Sequence, residues 1–138
     1  MISFQRSQIV GAEFVDDNTI RFNGIQEDHI YGMEISLEVR IEDGKILKID
    51  GIMKRYTNFV CPQAVPVLQS AVGLSLREPG WDKRVMREVG RQGCEHLAEI
   101  LIECGRCLEP AILSRDLNKA LQKDPELNQK EFMESRLR

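Results

Sequence analysis

Thiol and imidazole groups are scarce in this chain, which has only Cys61, Cys94, Cys104, Cys107, His29 and His96. The most informative arrangement is Gly90-Arg91-Gln92-Gly93-Cys94-Glu95-His96-Leu97. Glycines ahead of a helix permit unusual backbone angles and set Cys94 at or near the helix N-terminus. Unpaired N–H groups and the helix dipole favour the thiolate there, the form that binds metal or attacks an electrophile. His96 comes two residues later, about 200° around an ideal helix, so it shares a ligand with Cys94 only if the first turn is irregular. The plain alternative is that Cys94 is a small buried side chain and His96 a surface histidine.

Cys61 lies in Phe59-Val60-Cys61-Pro62, a loop entering a helix after the last strand. Taken alone it reads as a buried structural thiol. Taken with Cys94 it puts two thiols at element junctions, and the two are expected to converge. Cys104-Gly105-Arg106-Cys107 has the spacing of zinc and redox motifs, but it falls at a helix end and lacks the second pair a zinc ribbon needs. A continuous helix separates Cys94 from Cys104 by about 15 Å, too far for one mononuclear site. Cys104 is therefore assigned to the core and Cys107 is incidental. His29 shares the odd-numbered parity of Met33, Ile35 and Leu37. If the strand extends back to it, His29 and Tyr31 point to the helix-covered face; otherwise it belongs to the Gln26-Glu27-Asp28 turn. There is no phosphate-cradling glycine loop, no GxSxG and no HExxH. Trp81 reads as a core anchor.

The elements that must position these groups are set by periodicity. Met33 to Glu42 alternates apolar and polar residues, which predicts a half-buried strand. Asp43-Gly44 then predicts a hairpin, with Ile46 to about Lys54 as the return strand. Gln8 to Val15 and Thr19 to Ile25 predict two earlier strands around Asp16-Asp17-Asn18. Beyond Cys61-Pro62 the period becomes helical: a short helix with Val65, Leu68 and Val72, a second capped by Asp82, and a third from Cys94 to about Cys104. A fourth starts at Glu109-Pro110 and buries Leu113, Leu117 and Leu121. Strands first and helices afterwards predict an α+β domain over residues 1–124, an antiparallel meander covered on one face by helices. Residues 125–138 form a C-terminal tail whose helical character is weakly marked in the pattern.

With 138 residues, 42% of them hydrophobic and 30% charged, the chain has the make-up of an ordinary globular domain. Its net charge of -3 comes without a basic block and argues against nucleic acid. No apolar run is long enough for a membrane span or a signal core, so the expected location is the cytoplasm. A protein partner or a homo-oligomer is left open.

Three segments carry a resemblance: Cys61-Pro62-Gln63-Ala64-Val65-Pro66, Pro79-Gly80-Trp81 and Gly93-Cys94-Glu95-His96-Leu97. Their ordered combination, with a CPxxxP segment and a GCxHL motif, resembles a bacterial family of domains of unknown function, DUF2889, over roughly residues 6 to 108. The order of meander, cysteine, helices and helix-opening cysteine is more distantly similar to the NifU/IscU-type iron–sulfur assembly scaffolds. That likeness implies a NifU/IscU-like fold and a Cys/Cys/His site of His29, Cys61 and Cys94, with His96 or Asp28 as a fourth ligand.

The expected function is thus a metal-binding protein holding zinc, iron or an iron–sulfur cluster through Cys61, Cys94, His29 and His96. Thiolate and imidazole suit those metals and not Ca²⁺ or Mg²⁺. The alternatives are a thiol enzyme with Cys94 as nucleophile, and a metal-free binding or interaction module.

Overall fold

Period-two alternation builds four strands in the computed structural model, which describes residues 1–137. They are β1 (Ser7–Asp16), β2 (Thr19–Glu27), β3 (Gly32–Arg40) and β4 (Ile46–Arg55). They pair antiparallel in sequence order, β1-β2-β3-β4. Ile20 and Phe22 of β2, Met33, Ile35, Leu37 and Val39 of β3, and Ile46, Ile49 and Met53 of β4 form the buried face. β3 ends at Arg40, two residues short of the expected Glu42. The chain there makes a wider loop: Gly44 at φ +72° donates its N–H to Arg40 O, and Arg40 N–H donates to Lys45 O. Asp43 accepts from the Arg40 guanidinium and from Lys45 N–H inside that loop.

After β4 the chain runs as a 3-10 helical segment, Cys61–Ala71. The apolar spacing predicts an α-helix here; Pro62 and Pro66 each remove an N–H and crowd the preceding turn, which disfavours regular i→i+4 bonding. Ala64, Leu68 and Ala71 are its buried side chains, and Gln69 Nε2 donates to Ile49 O of β4 at 2.7 Å. Next come α1 (Trp81–Val85), which passes directly into a π-helical turn over Met86–Gly90, and α2 (Glu95–Arg106). Asp82 does not cap α1 as expected; the residue before the helix is Gly80 at φ +79°, and Asp82 accepts from its own neighbour Lys83 N–H.

Two glycines allow the helical layer to reach the sheet. A Cβ on Gly24 would lie 2.5 Å from Ile100 Cγ2 and 2.8 Å from Cys104 Sγ, and one on Gly51 would lie 2.6 Å from Leu68 Cδ1. α2 therefore crosses β2 at Gly24, and the 3-10 segment crosses β4 at Gly51. Cys104 is fully buried here, as its place on the apolar stripe of α2 requires. The architecture is α+β with helices on one face of an antiparallel sheet.

These elements form one compact unit, Met1–Gly105; the residues from Arg106 onward form a second. The second unit is a helical hairpin of α3 (Leu108–Lys123) and α4 (Gln129–Arg136). Asn128 caps α4 by accepting from Glu131 N–H, and Arg136 pairs with Asp116 at 2.7 Å. Residues 129–136 of the expected tail are helical. No helix among the described residues is long and apolar enough to cross a membrane.

Candidate thiol–imidazole site

The β2–β3 turn, the exit of β4 and the N-terminus of α2 supply the side chains of the candidate site. Asp28 fixes the turn. One carboxylate oxygen accepts from Ile30 N–H at 2.7 Å and Tyr31 N–H at 2.6 Å, and the other accepts from Arg6 Nε at 2.9 Å. The Tyr31 N–H, then the Ile30 N–H and the Arg6 guanidinium, outweigh burial and hold the Asp28 carboxyl down at about 2. Both oxygens accept hydrogen bonds, and Asp28 thereby orders the turn. From β4, Arg55 donates to Asp28 O at 2.6 Å and Tyr31 O at 3.0 Å, tying the strand end to the turn.

Cys61 opens the 3-10 segment beyond Arg55, and the residue is half-buried. Thr57 Oγ1 lies 3.7 Å from its sulfur and Asn58 Oδ1 3.9 Å. The backbone of Asn58 and the Thr57 hydroxyl shift the Cys61 thiol below its ordinary range, against the opposing effect of burial. Thr57 Oγ1 is also 3.5 Å from Tyr31 Oη. The Tyr31 ring in turn stacks on His96, with centroids 4.5 Å apart and planes tilted by 37°. A continuous series of side chains therefore runs from His96 through Tyr31 and Thr57 to Cys61.

Cys94 reaches this end of the molecule by way of the π turn. Its N–H donates to Val89 O, five residues back, and its own carbonyl accepts the Ala98 N–H of α2. Such turns insert one residue into a helical path and re-aim the next stretch of chain. A Cβ on Gly93 would sit 3.0 Å from Val67 Cβ, so the residue before Cys94 touches the segment that begins with Cys61. Cys94 is half-buried, and so is His96, in place of the surface position that the plain alternative gives it.

His29 is placed differently. It sits in the β2–β3 turn, exposed, with its ring edge-on to Phe4 at 5.9 Å. Of the residues singled out in the sequence, the structure thus links Cys61 with His96 and brings their elements against that of Cys94, while His29 faces the N-terminal segment. Among the described residues no three His, Cys, Asp or Glu side chains form a ready metal cage. Thr57 and Arg55 are not anticipated by the sequence, because nothing in their spacing marks them. Tyr31 is visible there only through its strand parity.

The class this defines is an α+β meander with a thiol and an imidazole at the open end of its sheet. The model of a family described as a protein of unknown function (DUF2889) matches residues 6–108, and the chain belongs to that family. No curated protein and no solved structure matches the chain. The likeness to iron–sulfur scaffolds accordingly rests on the order of elements and cysteines alone.

Proposed function

We propose that the protein binds zinc or iron, the iron as a single ion or in an iron–sulfur cluster, through the Cys61 thiolate, the His96 imidazole and the Cys94 thiolate. The supporting observation is the series His96–Tyr31–Thr57–Cys61, in which two intervening side chains connect an imidazole and a thiol from elements distant in sequence. The donor chemistry suits zinc and iron. All three donors must close on the ion as it binds, Cys94 at a helix start preceded by Gly90 and Gly93. His29 and Asp28 are left out of the ligand set, one turned to Phe4 and the other saturated with donors.

Equilibrium dialysis of reduced, chelator-stripped protein against zinc tests this. One zinc per chain is expected, lost in Cys61→Ser and His96→Ala and kept in Cys107→Ser. No zinc uptake, or equal loss in Cys107→Ser, would overturn the reading. A second reading, a thiol-dependent enzyme, is favoured by the lowered pKa of Cys61, and it moves the nucleophile from Cys94 to Cys61.

A further inference from the structure

We propose that the outer edge of β1 pairs with β1 of a second copy of this chain, antiparallel and centred on Ala12, so that two sheets become one. The two edges of the sheet are treated differently. At β4, Ile46 N–H donates to Leu74 O at 2.9 Å, Gly73 N–H to Ile46 O at 2.8 Å and Gln69 Nε2 to Ile49 O at 2.7 Å. The chain beyond that strand therefore covers its edge. β1 stands at the other end of the order β1-β2-β3-β4, with β2 as its neighbour in the sheet. It is 10 residues long, and Ile9 and Val15 on it are 61% and 45% exposed. Proteins blunt such an edge with lysine, proline or a very short strand. Ser7–Asp16 contains neither lysine nor proline, and its bulge, between Phe14 and Asp16, lies at the hairpin end.

The occupant is a second copy because the strand is complementary to itself. A two-fold axis perpendicular to the sheet keeps both helix-covered faces on one side, so residues of like parity stand opposite each other. Centring on Ala12 sets Val10 against Phe14 on one face and Ile9 against Val15 on the other, apolar against apolar. Glu13 then meets Gly11, where an added Cβ would have nothing within 4 Å. The carboxylate keeps its own counter-ion, Arg21 at 2.7 Å, and the two copies of Glu13 stay apart. A centre at Gly11 would instead put Ile9 against Glu13 and Gln8 against Phe14. A centre at Glu13 would oppose two like charges, which is unfavourable. Main-chain hydrogen bonds supply the affinity, and these side-chain pairs set the register.

The test is sedimentation of the reduced full chain over a concentration series, with cross-linking of introduced thiols under mild oxidation. The wild type is expected to pass with rising concentration from the 15.8 kDa chain to twice that mass. Gly11→Lys sets a cation against Glu13 of the second copy and is expected to tighten the dimer about fivefold. Gly11→Glu should weaken it by about the same factor, and a position that mattered only for folding would not give opposite signs. Ala12→Cys, on the axis, should link two chains through the introduced thiols. Opposed residues have Cα atoms about 4.5–5.5 Å apart, within disulfide reach. Ile9→Cys should not self-link, because its two copies stand about 20 Å apart at about 3.4 Å per residue. Peptide mass spectrometry identifies the bridge, and this pair carries the test if a Gly11 variant fails to fold by circular dichroism. A wild type that is monomeric at every concentration would overturn the proposal and leave the edge to an extended segment of another protein. A dimer on which both Gly11 variants act alike, or which Ile9→Cys links as readily as Ala12→Cys, would place the interface elsewhere and overturn it too.

Discussion

The middle of the sheet and its open end are built on opposite terms. At Gly24 and Gly51 the helical layer comes so close that a single added carbon would meet Ile100, Cys104 or Leu68 at 2.5–2.8 Å. At the β2–β3 turn and the β4 exit, the side-chain-to-side-chain polar contacts that join Tyr31, Thr57, Asn58 and Cys61 are 3.5–3.9 Å long. The backbone beneath them is nevertheless tightly bonded through Asp28 and Arg55. Close packing marks one place, and a bonded backbone with loosely engaged side chains marks the other.

The largest effect that would break this contrast is at Gly24. Gly24→Ala is expected to cost about 1–3 kcal/mol through overpacking, read as a lower urea midpoint, with zinc binding by the surviving folded protein unchanged. Gly11→Ala on β1, where a Cβ meets nothing within 4 Å, is the control and should cost nothing. Equal losses would show that α2 does not press on the sheet as described.

A smaller effect of opposite sign is expected at Gln26. Its side chain is buried, it accepts from Gln8 Nε2 at 3.3 Å, and its own amide nitrogen has no partner among the described residues. Leaving a buried donor unsatisfied costs roughly 1–3 kcal/mol, so Gln26→Met, of similar volume, should gain about 1 kcal/mol in chemical denaturation. A loss would mean that the amide serves the open end rather than burdening the core.

The most local effect is set by pH. The Asp28 carboxyl is lowered from 3.8 to about 2 by the turn it holds, so the folded state favours the charged form. Its contribution is complete above the ordinary carboxylate value and is lost as pH falls through about 2. Hydrogen exchange at the Ile30 and Tyr31 amides should quicken over that window, and Asp28→Asn should show no such step. A step at higher pH in both proteins would place the titration elsewhere.

Much of the fold is legible in the sequence because strands and turns leave local marks. The alternation from Met33 to Arg40 fixes its buried face, and Asp16-Asp17-Asn18 and Asp43-Gly44 punctuate the hairpins. The 3-10 segment and the π turn are not legible, since apolar spacing reports which face is buried and not whether a bond closes over three, four or five residues. Cys61, Cys94 and His96 can be singled out by type and by their place at element junctions. Thr57 cannot, because its role comes from the loop that Arg55 ties to the Tyr31 carbonyl. His29 shares the parity of the buried residues of β3, but Asp28 turns the chain before β3 begins, and parity carries no information across a turn.

The measurement that bears most directly on a metal-binding thiol at the open end is the alkylation rate of Cys61, resolved by peptide mass spectrometry, with and without zinc. In chelator-stripped protein Cys61 is expected to react readily with iodoacetamide, because its neighbours favour the thiolate. Stoichiometric zinc is expected to suppress the reaction, in step with Cys94 and without effect on Cys107. Rapid alkylation of Cys61 that zinc leaves unchanged would contradict the metal-binding account and support the thiol enzyme in its place.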